Sequence, residues 1–332
     1  MATKTYEFER WAVEQIGRAR TRIGTELSKV IIGQENVIEH LLIAVLAGGH
    51  CLITGAPGLA KTLLVKSLAQ LFNLRFQRIQ FTPDLMPSDV TGFNFFDQKE
   101  REFRFRPGPV LAQVVLADEI NRAIPRTQAS LLESMGEGQV TVDGRRILLP
   151  RPFLVLATQN PIDLEGTFPL PEAQLDRFLL RLRLGYPEMK EEQGMLEAHG
   201  GSNPLETVLP LVEPDDILAW QTLCREIYVA PAVRDYLLEV VRRTRTHPQL
   251  AMGASPRASL VFFRAARVLA ALRGRDFVLP DDVQELALPC LAHRVILQAP
   301  VRLRGICAED ILREVLAAVE VPLAAEASHG KI

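Results

Sequence analysis

The sequence predicts an α/β protein whose mostly parallel, covered sheet is followed by an all-helical region. Two observations support this fold class. In residues 1–187, short apolar runs of strand type alternate with helical patterns, an order that is typical of a parallel sheet covered by helices. In residues 188–332, the strand signal fades and helical periodicity dominates. With 332 residues, the chain is long enough for one substantial and one smaller domain, and we place the boundary near residue 187.

The amino-terminal part combines helical patterns with a strand and a glycine-rich loop. Apolar residues recur at helical spacing over 6–31 and 35–47. The apolar run 50–54 predicts a strand, and a helical pattern over 62–72 follows the loop GAPGLAKT. Strand, loop and helix therefore stand in the order that a phosphate-binding loop requires. Four more apolar runs predict strands, over 76–81, 114–117, 153–157 and 179–184.

Two insertions interrupt this pattern. In residues 91–108, phenylalanines recur at period two on both sides of a charged turn, which indicates a hairpin. In residues 138–150, Asp143 and Gly144 separate two alternating runs, which is a strong hairpin signal. The phenylalanines of the first insertion either contact a partner or pack against their own sheet, and the sequence leaves both interpretations open.

Six helical patterns fill the carboxyl-terminal part. They cover residues 188–199, 214–227, 231–247, 256–273, 280–293 and 308–319. No internal repeat or low-complexity tract is evident in the sequence. We therefore expect a second domain built from helices.

Composition and charge exclude several classes of protein. The formal net charge of -2, from 38 basic and 40 acidic residues, gives no global attraction to nucleic acid or to an anionic membrane. The amino terminus carries Glu7, Glu9 and Arg10 where a signal peptide needs an apolar core, and the apolar runs elsewhere are too short or too broken to span a bilayer. The 4 cysteines form no CxxC pair and the 6 histidines show no metal-ligand spacing. We expect a cytoplasmic protein with reduced thiols, no membrane span and no nucleic-acid partner.

The loop GAPGLAKT provides the first candidate site. Its backbone N–H groups and the following helix N-terminus would hold phosphates, while Lys61 reaches the β- and γ-phosphates of ATP and Thr62 binds Mg²⁺. Ala60 stands where the common pattern has a second glycine. Alanine costs about 1–2 kcal/mol there if the backbone is left-handed, and nothing if it is helical. The candidate nucleotide-binding residues of this loop are Gly55, Ala56, Pro57, Gly58, Leu59, Ala60, Lys61, Thr62 and Leu63.

The second candidate site is the acidic pair that ends the strand in VVLADE. Asp118 would hold the metal, through Thr62 or water, and Glu119 would orient and polarise the attacking water as general base. Acidic residues also follow strands as helix caps. The catalytic interpretation therefore depends on a phosphate loop on a neighbouring strand.

Three further residues complete the candidate set. Asn160 follows the strand in LATQNP, where its amide could hold the attacking water or contact the γ-phosphate; the alternative is that it only starts a turn before proline. Arg257 lies in the first turn of a predicted helix, where it opposes the helix dipole, so it needs another partner such as a phosphate. Arg177 follows Asp176, and an ion pair with that or another acid is the simpler explanation.

Five segments together resemble those of AAA+ ATPases, and their exact residues resemble those of the MoxR family. The segments are GAPGLAKT, VVLADE, LATQNP, LPEAQLDRF and GASPRA. The resemblance implies a P-loop core with a helical lid, assembled as a homo-oligomeric ring, usually a hexamer, with ATP and Mg²⁺ at the subunit boundaries. Lys61 and Thr62 then correspond to the Walker A motif. Asp118 and Glu119 correspond to Walker B, and Asn160 corresponds to sensor 1.

The resemblance also gives roles to residues outside these motifs. Arg257 matches the sensor 2 arginine of the lid, and Arg177 resembles the arginine finger that enters the neighbouring subunit's site. The stretch IIGQE resembles the family's adenine-pocket segment, in which Ile31, Ile32 and Gly33 would line the base. The two insertions resemble the helix-2 insert and the pre-sensor 1 hairpin.

Three functional hypotheses follow. The leading one is a chaperone-like ATPase that remodels or matures protein clients, with a von Willebrand factor A domain protein as the partner that the resemblance implies. The second is a DNA-directed motor, since Arg145 and Arg146 beside the hairpin turn could meet phosphates. The third is a nucleotide-gated scaffold, although a scaffold has no need of the full catalytic set.

Overall fold

The structure is a computed structural model that describes residues 2–160, 166–199 and 204–323. The helices are α1 (Ala2–Ser28), α2 (Glu35–Leu46), α3 (Lys61–Leu71), α4 (Pro87–Thr91), α5 (Pro125–Glu137), α6 (Glu172–Leu175), α7 (Met189–His199), α8 (Pro214–Cys224), α9 (Pro231–Thr246), α10 (Pro256–Leu272), α11 (Pro280–Leu291), α12 (Ala299–Leu303) and α13 (Ala308–Ala318). The strands are β1 (Cys51–Thr54), β2 (Phe76–Gln80), β3 (Gly92–Asp97), β4 (Glu102–Pro107), β5 (Val114–Asp118), β6 (Gln139–Val142), β7 (Arg145–Leu148), β8 (Leu154–Gln159), β9 (Leu180–Arg183), β10 (Leu250–Met252) and β11 (Ile296–Leu297).

A five-stranded parallel sheet forms the centre of the amino-terminal part, in the order β2-β5-β8-β1-β9. Every one of these strands was predicted from the sequence, and each ends within two residues of the expected position. Strands β1, β5 and β8 could be predicted because they are apolar along most of their length, as a parallel strand covered on both faces must be. The predicted α/β fold class is confirmed.

The two faces of the sheet pack against different helices. Along β5, Leu116 belongs to the apolar cluster that contains Leu41 of α2 and Leu64 of α3. The next residue of the same strand, Ala117, belongs to the cluster on the other face, which contains Leu131 of α5. Because successive side chains of a strand point to opposite faces, one apolar run supplies both cores and fixes the sheet between two helical layers.

The first helix, α1, is 27 residues long and lies against the core along one side. Its buried side chains Ile16, Ile23 and Leu27 recur at helical spacing. Beside them, Arg20 forms an ion pair of 2.6 Å with the largely buried Glu39 of α2. Within the described ranges, no helix is both long and apolar enough to cross a membrane.

Both predicted hairpins are present. Strands β3 and β4 pair antiparallel in the first insertion, and β6 and β7 pair antiparallel around the Asp143-Gly144 turn of the second. The two hairpins meet where the Asn94 side-chain amide donates a hydrogen bond of 2.7 Å to Asp143 Oδ2. Phe103 is 75% exposed, while its ring contacts that of Phe96 edge-on at 5.4 Å between centroids. The first hairpin therefore presents aromatic surface to solvent.

The carboxyl-terminal part is a bundle of helices from α8 to α13, as predicted, and it also contains a short antiparallel pair, β10 and β11. These strands have three and two residues, which is too short for a periodic pattern to reveal. The bundle contacts the sheet domain through Arg294, whose guanidinium is buried and donates a 2.8 Å hydrogen bond to Asp176 Oδ1. Asp176 also accepts a hydrogen bond of 3.0 Å from Ser255, which caps the start of α10.

Candidate nucleotide-binding site

The glycine-rich loop lies at the carboxyl end of β1, and α3 begins at its last residues. Lys61 is the first residue of α3, and its Nζ donates a hydrogen bond of 2.6 Å to the Gly55 carbonyl across the loop. A side chain on Gly55 would meet the Leu184 carbonyl at 2.7 Å, so the loop needs glycine there. Burial lowers the pKa of Lys61, while the charges of Asp118 and Glu119 act in the opposite direction. Lys61 is therefore held over the loop, within the field of both carboxylates.

The Ala60 backbone is left-handed, with φ 52° and ψ 23°. The residue stands directly before α3, where the chain turns from the loop into the helix. Of the two possibilities that the sequence leaves open, the structure shows the strained one. Alanine in this conformation carries a cost of about 1–2 kcal/mol that glycine would not.

A cavity of about 300 Å³ opens beside the loop. Its walls are apolar and come from four segments of the chain: the end of the α1–α2 connection, the loop with α3, the end of β9, and α7. The lining residues are Val30, Ile31, Ile32, Gln34, Gly58, Leu59, Ala60, Leu63, Leu64, Leu184, Pro187, Met195 and Leu196. The flat aromatic face of a nucleobase fits such a cavity next to a phosphate-binding loop.

The structure places the predicted base-binding residues around this cavity. Ile31 and Ile32 line it directly. Gly33 has φ +76°, and a side chain on it would lie 2.1 Å from the Glu191 carboxyl carbon of α7. The left-handed φ is the main reason that this position favours glycine, because the Glu191 side chain could move aside. Gly33 is not part of the cavity wall.

The acidic pair lies at the carboxyl edge of the sheet, next to the loop. Thr158 at the end of β8 joins the two residues: its hydroxyl donates to Asp118 Oδ1 at 2.6 Å and accepts from the Glu119 backbone N–H at 2.8 Å. Glu119 has a left-handed backbone with φ 57°, which an L-residue adopts at a cost. The hydrogen bond from the Glu119 backbone N–H to Thr158 helps to hold this conformation.

Three more polar side chains hold the carboxylates, and the sequence analysis did not assign them to the site. Arg78 of β2 donates to Asp118 Oδ2, and Gln80 donates to Glu119 Oε2 at 2.9 Å. Arg122 forms an ion pair of 3.1 Å with Glu119. The sequence contained a signal for two of these residues. Arg78 and Gln80 are two residues apart on β2, so their side chains lie on the same face, and the carboxyl ends of neighbouring parallel strands meet at one edge of the sheet.

The oxygen ligands present here suit Mg²⁺. This ion keeps several waters and is held by one or two protein oxygens together with substrate phosphates. The Thr62 hydroxyl at the start of α3 and the Asp118 carboxylate at the end of β5 supply such a set. The described residues contain no cluster of three histidine, cysteine or carboxylate side chains that would form a separate metal site.

Asn160 follows β8 immediately, at the same edge of the sheet as Asp118, and is half-buried. Residues 161–165 lie outside the described ranges. Its placement agrees with a position near the terminal phosphate of a nucleotide in the loop.

The two candidate arginines lie at the other edge of the sheet. Arg177 precedes β9 and donates a hydrogen bond of 2.8 Å to the Leu132 carbonyl; it does not pair with Asp176, which binds Arg294 instead. Arg257 is exposed in the first turn of α10 and forms no ion pair within the described part of the chain.

The position of His50 gives the distance between this amino edge of the sheet and the glycine-rich loop. It directly precedes β1, and burial lowers the pKa of its ring to about 4, with further lowering by the positive charges of Arg257 and Arg264. Four residue steps along β1, about 13 Å, separate His50 from Thr54, where the loop begins. Arg177 and His50 bind neighbouring carbonyls of α5, those of Leu132 and Met135, so Arg177 also lies at this end of the sheet. Neither arginine is therefore beside the loop of its own chain.

The chain is similar to known proteins in sequence and in structure. Residues 50–180 match the model of the ATPase family associated with various cellular activities (AAA), and residues 242–315 match that of the AAA lid domain. The chain is 46% identical to the uncharacterized protein YeaC of Bacillus subtilis, over 90% of this chain and 93% of that protein. It is 43% identical to Chaperone MoxR1 of Mycobacterium tuberculosis, over 90% of this chain and 81% of that protein. A crystal structure of a candidate ATPase from Cytophaga hutchinsonii superposes with a TM-score of 0.89 at 37% identity, covering 97% of this chain and all of that one.

Proposed function

The chain belongs to the MoxR family of AAA ATPases, and we propose that it uses Mg²⁺-dependent ATP hydrolysis, as a ring of identical subunits, to remodel or mature protein partners. The observation that supports assembly as a ring is the position of the two candidate arginines. Arg177 and Arg257 lie at the sheet edge opposite the chain's own loop, so they can complete a site only on another copy.

The residues around the loop divide the catalytic work. Backbone N–H groups of the loop and Lys61 hold the phosphates, and the apolar cavity holds the base. Bound through Thr62 and Asp118, Mg²⁺ would neutralise charge on the β- and γ-phosphate oxygens. Glu119 orients the attacking water and accepts its proton, while Asn160 fixes the water or the γ-phosphate.

A second copy supplies the missing positive charge. The transition state of phosphoryl transfer spreads negative charge over the γ-phosphate, and an arginine aimed at it lowers the barrier. Arg177 is the finger in this proposal, and Arg257, which has no anionic partner within the described residues, binds phosphate of the same neighbour. Hydrolysis then depends on assembly, because each active site is shared by two subunits. A closed heterologous ring satisfies every such interface, and six subunits is the number we propose.

Mixing inactive variants tests the shared site. Neither Arg177→Ala nor Glu119→Gln should turn over ATP alone, but a mixture contains interfaces at which an intact Glu119 meets an intact Arg177. We expect turnover to return to a substantial fraction of the wild-type rate. Mixing Arg257→Ala with Glu119→Gln should behave in the same way.

The matched control mixes Lys61→Ala with Glu119→Gln. Both changes affect the same half of the shared site, so no interface regains a complete set and the mixture should stay inactive. Recovery in the control, or none in the test mixtures, would show that the arginines do not act on the neighbouring subunit.

The remodelling role rests on the relative that is named as a chaperone and on the exposed hairpins. We propose a von Willebrand factor A domain protein as partner, and a cytoplasmic location. Affinity capture with the hydrolysis-blocked Glu119→Gln variant, compared with and without ATP, tests this role. The proposal requires a protein captured only with ATP; capture of the same proteins in both conditions contradicts it.

A DNA-directed motor is the second candidate, because Arg145 and Arg146 are exposed beside the second hairpin turn. Single-stranded DNA should then raise the ATPase rate at low salt, and the increase should disappear as salt rises. A rate that is indifferent to DNA at low salt rejects this candidate.

A further inference from the structure

Another cavity of about 300 Å³ lies where the helical bundle meets the sheet domain. Its walls come from the end of α2 and the turn that follows, from the end of α8 and from α10. Gly48 in that turn precedes β1, whereas the glycine-rich loop follows this strand. The cavity and the glycine-rich loop therefore lie at opposite ends of β1.

Three arginines line this cavity, which we call the arginine cavity: Arg225 directly after α8, and Arg264 and Arg267 on α10. None of the three forms an ion pair within the described part of the chain, and no acidic residue of the described ranges lines the cavity. Partial burial lowers the pKa of Arg264, and the positive charges of Arg257 and Arg225 lower it further. Burial also lowers the pKa of Arg267, against the opposing charge of Glu226 outside the cavity wall. The arginine cavity thus concentrates positive charge.

Two contacts hold the guanidinium of Arg267 in place. Its Nη1 donates a hydrogen bond of 2.5 Å to the Arg225 carbonyl, and the group lies over the Phe263 ring at 4.4 Å from the centroid. Its Nε is buried and has no hydrogen-bond acceptor among the described residues, which is unfavourable for a charged donor. Nε and Nη2 together form one edge of the planar guanidinium, and such an edge binds two oxygens of a carboxylate or phosphate. Arg267 is therefore positioned to bind an anion.

A phosphate-bearing anion matches the arginine cavity better than a single carboxylate does. A carboxylate carries one negative charge, whereas a phosphate group carries about −1.5 to −2 at neutral pH and offers three strong acceptor oxygens. Three arginines can each bind a different oxygen of such a group. The volume of about 300 Å³ is at the lower end of the range for small-molecule sites, which favours a compact anion.

We propose that the arginine cavity is a binding site for a phosphate-bearing anion, separate from the glycine-rich loop. The Nε–Nη2 edge of Arg267 binds two oxygens of the anion, and Arg225 and Arg264 neutralise its remaining charge. Because α2 belongs to the sheet domain and α8 and α10 belong to the bundle, the bound anion joins the two parts of the molecule.

Calorimetric titration with inorganic pyrophosphate, without divalent ions, tests the proposal on the full chain carrying Lys61→Ala. This change removes phosphate binding at the glycine-rich loop, so the remaining binding reports on the arginine cavity. We expect one site, whose affinity falls about tenfold or more when Arg264→Ala is added, because a charged donor to the anion is lost. Arg267→Lys keeps the charge but loses the two-donor edge, so it should weaken binding about threefold or more.

A matched control and further probes define the ligand. Arg242→Ala removes an exposed arginine of α9 that does not line the cavity, and it should change the affinity by less than about twofold. Citrate carries several carboxylates and should bind about tenfold more weakly than pyrophosphate. Titrations with inorganic phosphate and with ATP distinguish a free phosphate from a nucleotide as the source of the group, and the probe that binds most tightly identifies it.

Four results would overturn the proposal. The first is that the Lys61→Ala chain binds none of the three phosphate probes. The second is an equal loss of affinity in Arg264→Ala and Arg242→Ala, which would indicate general electrostatic attraction. Citrate that binds as tightly as pyrophosphate would show that charge alone decides. Finally, unchanged anion binding in Arg264→Ala, together with a smaller oligomer in sedimentation, would assign the arginine cavity to a contact between copies of the chain.

Discussion

The two edges of the central sheet differ in how their charged residues are satisfied. At the carboxyl edge, Asp118 and Glu119 are held from the two neighbouring strands β2 and β8 by hydrogen bonds within the chain. At the amino edge, Arg177 is bound to a backbone carbonyl, and Arg257 has no anionic partner in the described ranges. One edge is an acidic site held by its own chain, and the other carries positive charge that no described residue neutralises. This contrast is the basis of our proposal that the catalytic machinery is divided between copies.

The largest expected effect comes from the amino edge. Arg177→Ala should lower kcat by about 10³-fold or more, the usual loss when an arginine finger is removed. ATP affinity should stay near the wild-type value, because Arg177 is remote from its own loop. Steady-state ATPase assays and nucleotide titration measure the two quantities. A parallel loss of ATP affinity in the isolated subunit would contradict the division between the edges.

At the carboxyl edge, Glu119→Gln should lower kcat by about 10²- to 10³-fold while ATP still binds. Glutamine keeps a hydrogen-bonding partner for the water but cannot accept a proton. Single-turnover assays give the chemical step directly. A rate like that of the wild type would remove Glu119 as the general base.

The amino edge should also respond to acid through His50. Its pKa is about 4 in the folded protein and 6.5 in the unfolded chain, so the neutral ring contributes stability above pH 6.5 that is lost as the pH falls toward 4. His50→Gln keeps an acceptor for the Val155 N–H and a donor for the Met135 carbonyl but does not titrate. Between pH 7 and pH 5, the unfolding free energy of the wild type should fall by about 2 kcal/mol more than that of the variant. Denaturant titrations measure this difference, and equal pH dependence in both proteins would refute it.

The smallest effect is expected in the loop. Ala60→Gly relieves a left-handed alanine but gives the unfolded chain more freedom, so the unfolding free energy should rise by about 1 kcal/mol at most. ATP affinity should stay within about tenfold, which corresponds to 1.4 kcal/mol. Lys61→Ala is the contrasting variant and should largely abolish binding, since it removes the charge that faces the phosphates. Calorimetric titration of both variants against ATP provides the comparison, and normal binding by Lys61→Ala would reject the phosphate-loop assignment.

Much of the carboxyl edge could be predicted because its signals are local. The apolar runs of β1, β5 and β8 each end in residues whose chemistry is evident from the sequence: the loop with Lys61, the pair Asp118 and Glu119, and Asn160. The Asp143-Gly144 turn also specified its hairpin, since a two-residue turn limits the residues that can form it. Such features depend on residues that are adjacent in the chain, so the amino-acid sequence is enough to identify them.

The sequence by itself determined the five strands of the central sheet, the phosphate loop, the acidic pair and the two insertions. Only the tertiary structure decided the backbone of Ala60, the network that joins Arg78, Thr158 and the acidic pair, and the position of Arg177 and Arg257 at the far edge. The physical reason is distance along the chain. Arg78 lies 40 residues from Asp118, and Asp118 lies 40 residues from Thr158. Such pairs meet only because the sheet places β2, β5 and β8 side by side, and strand order is a property of the folded chain.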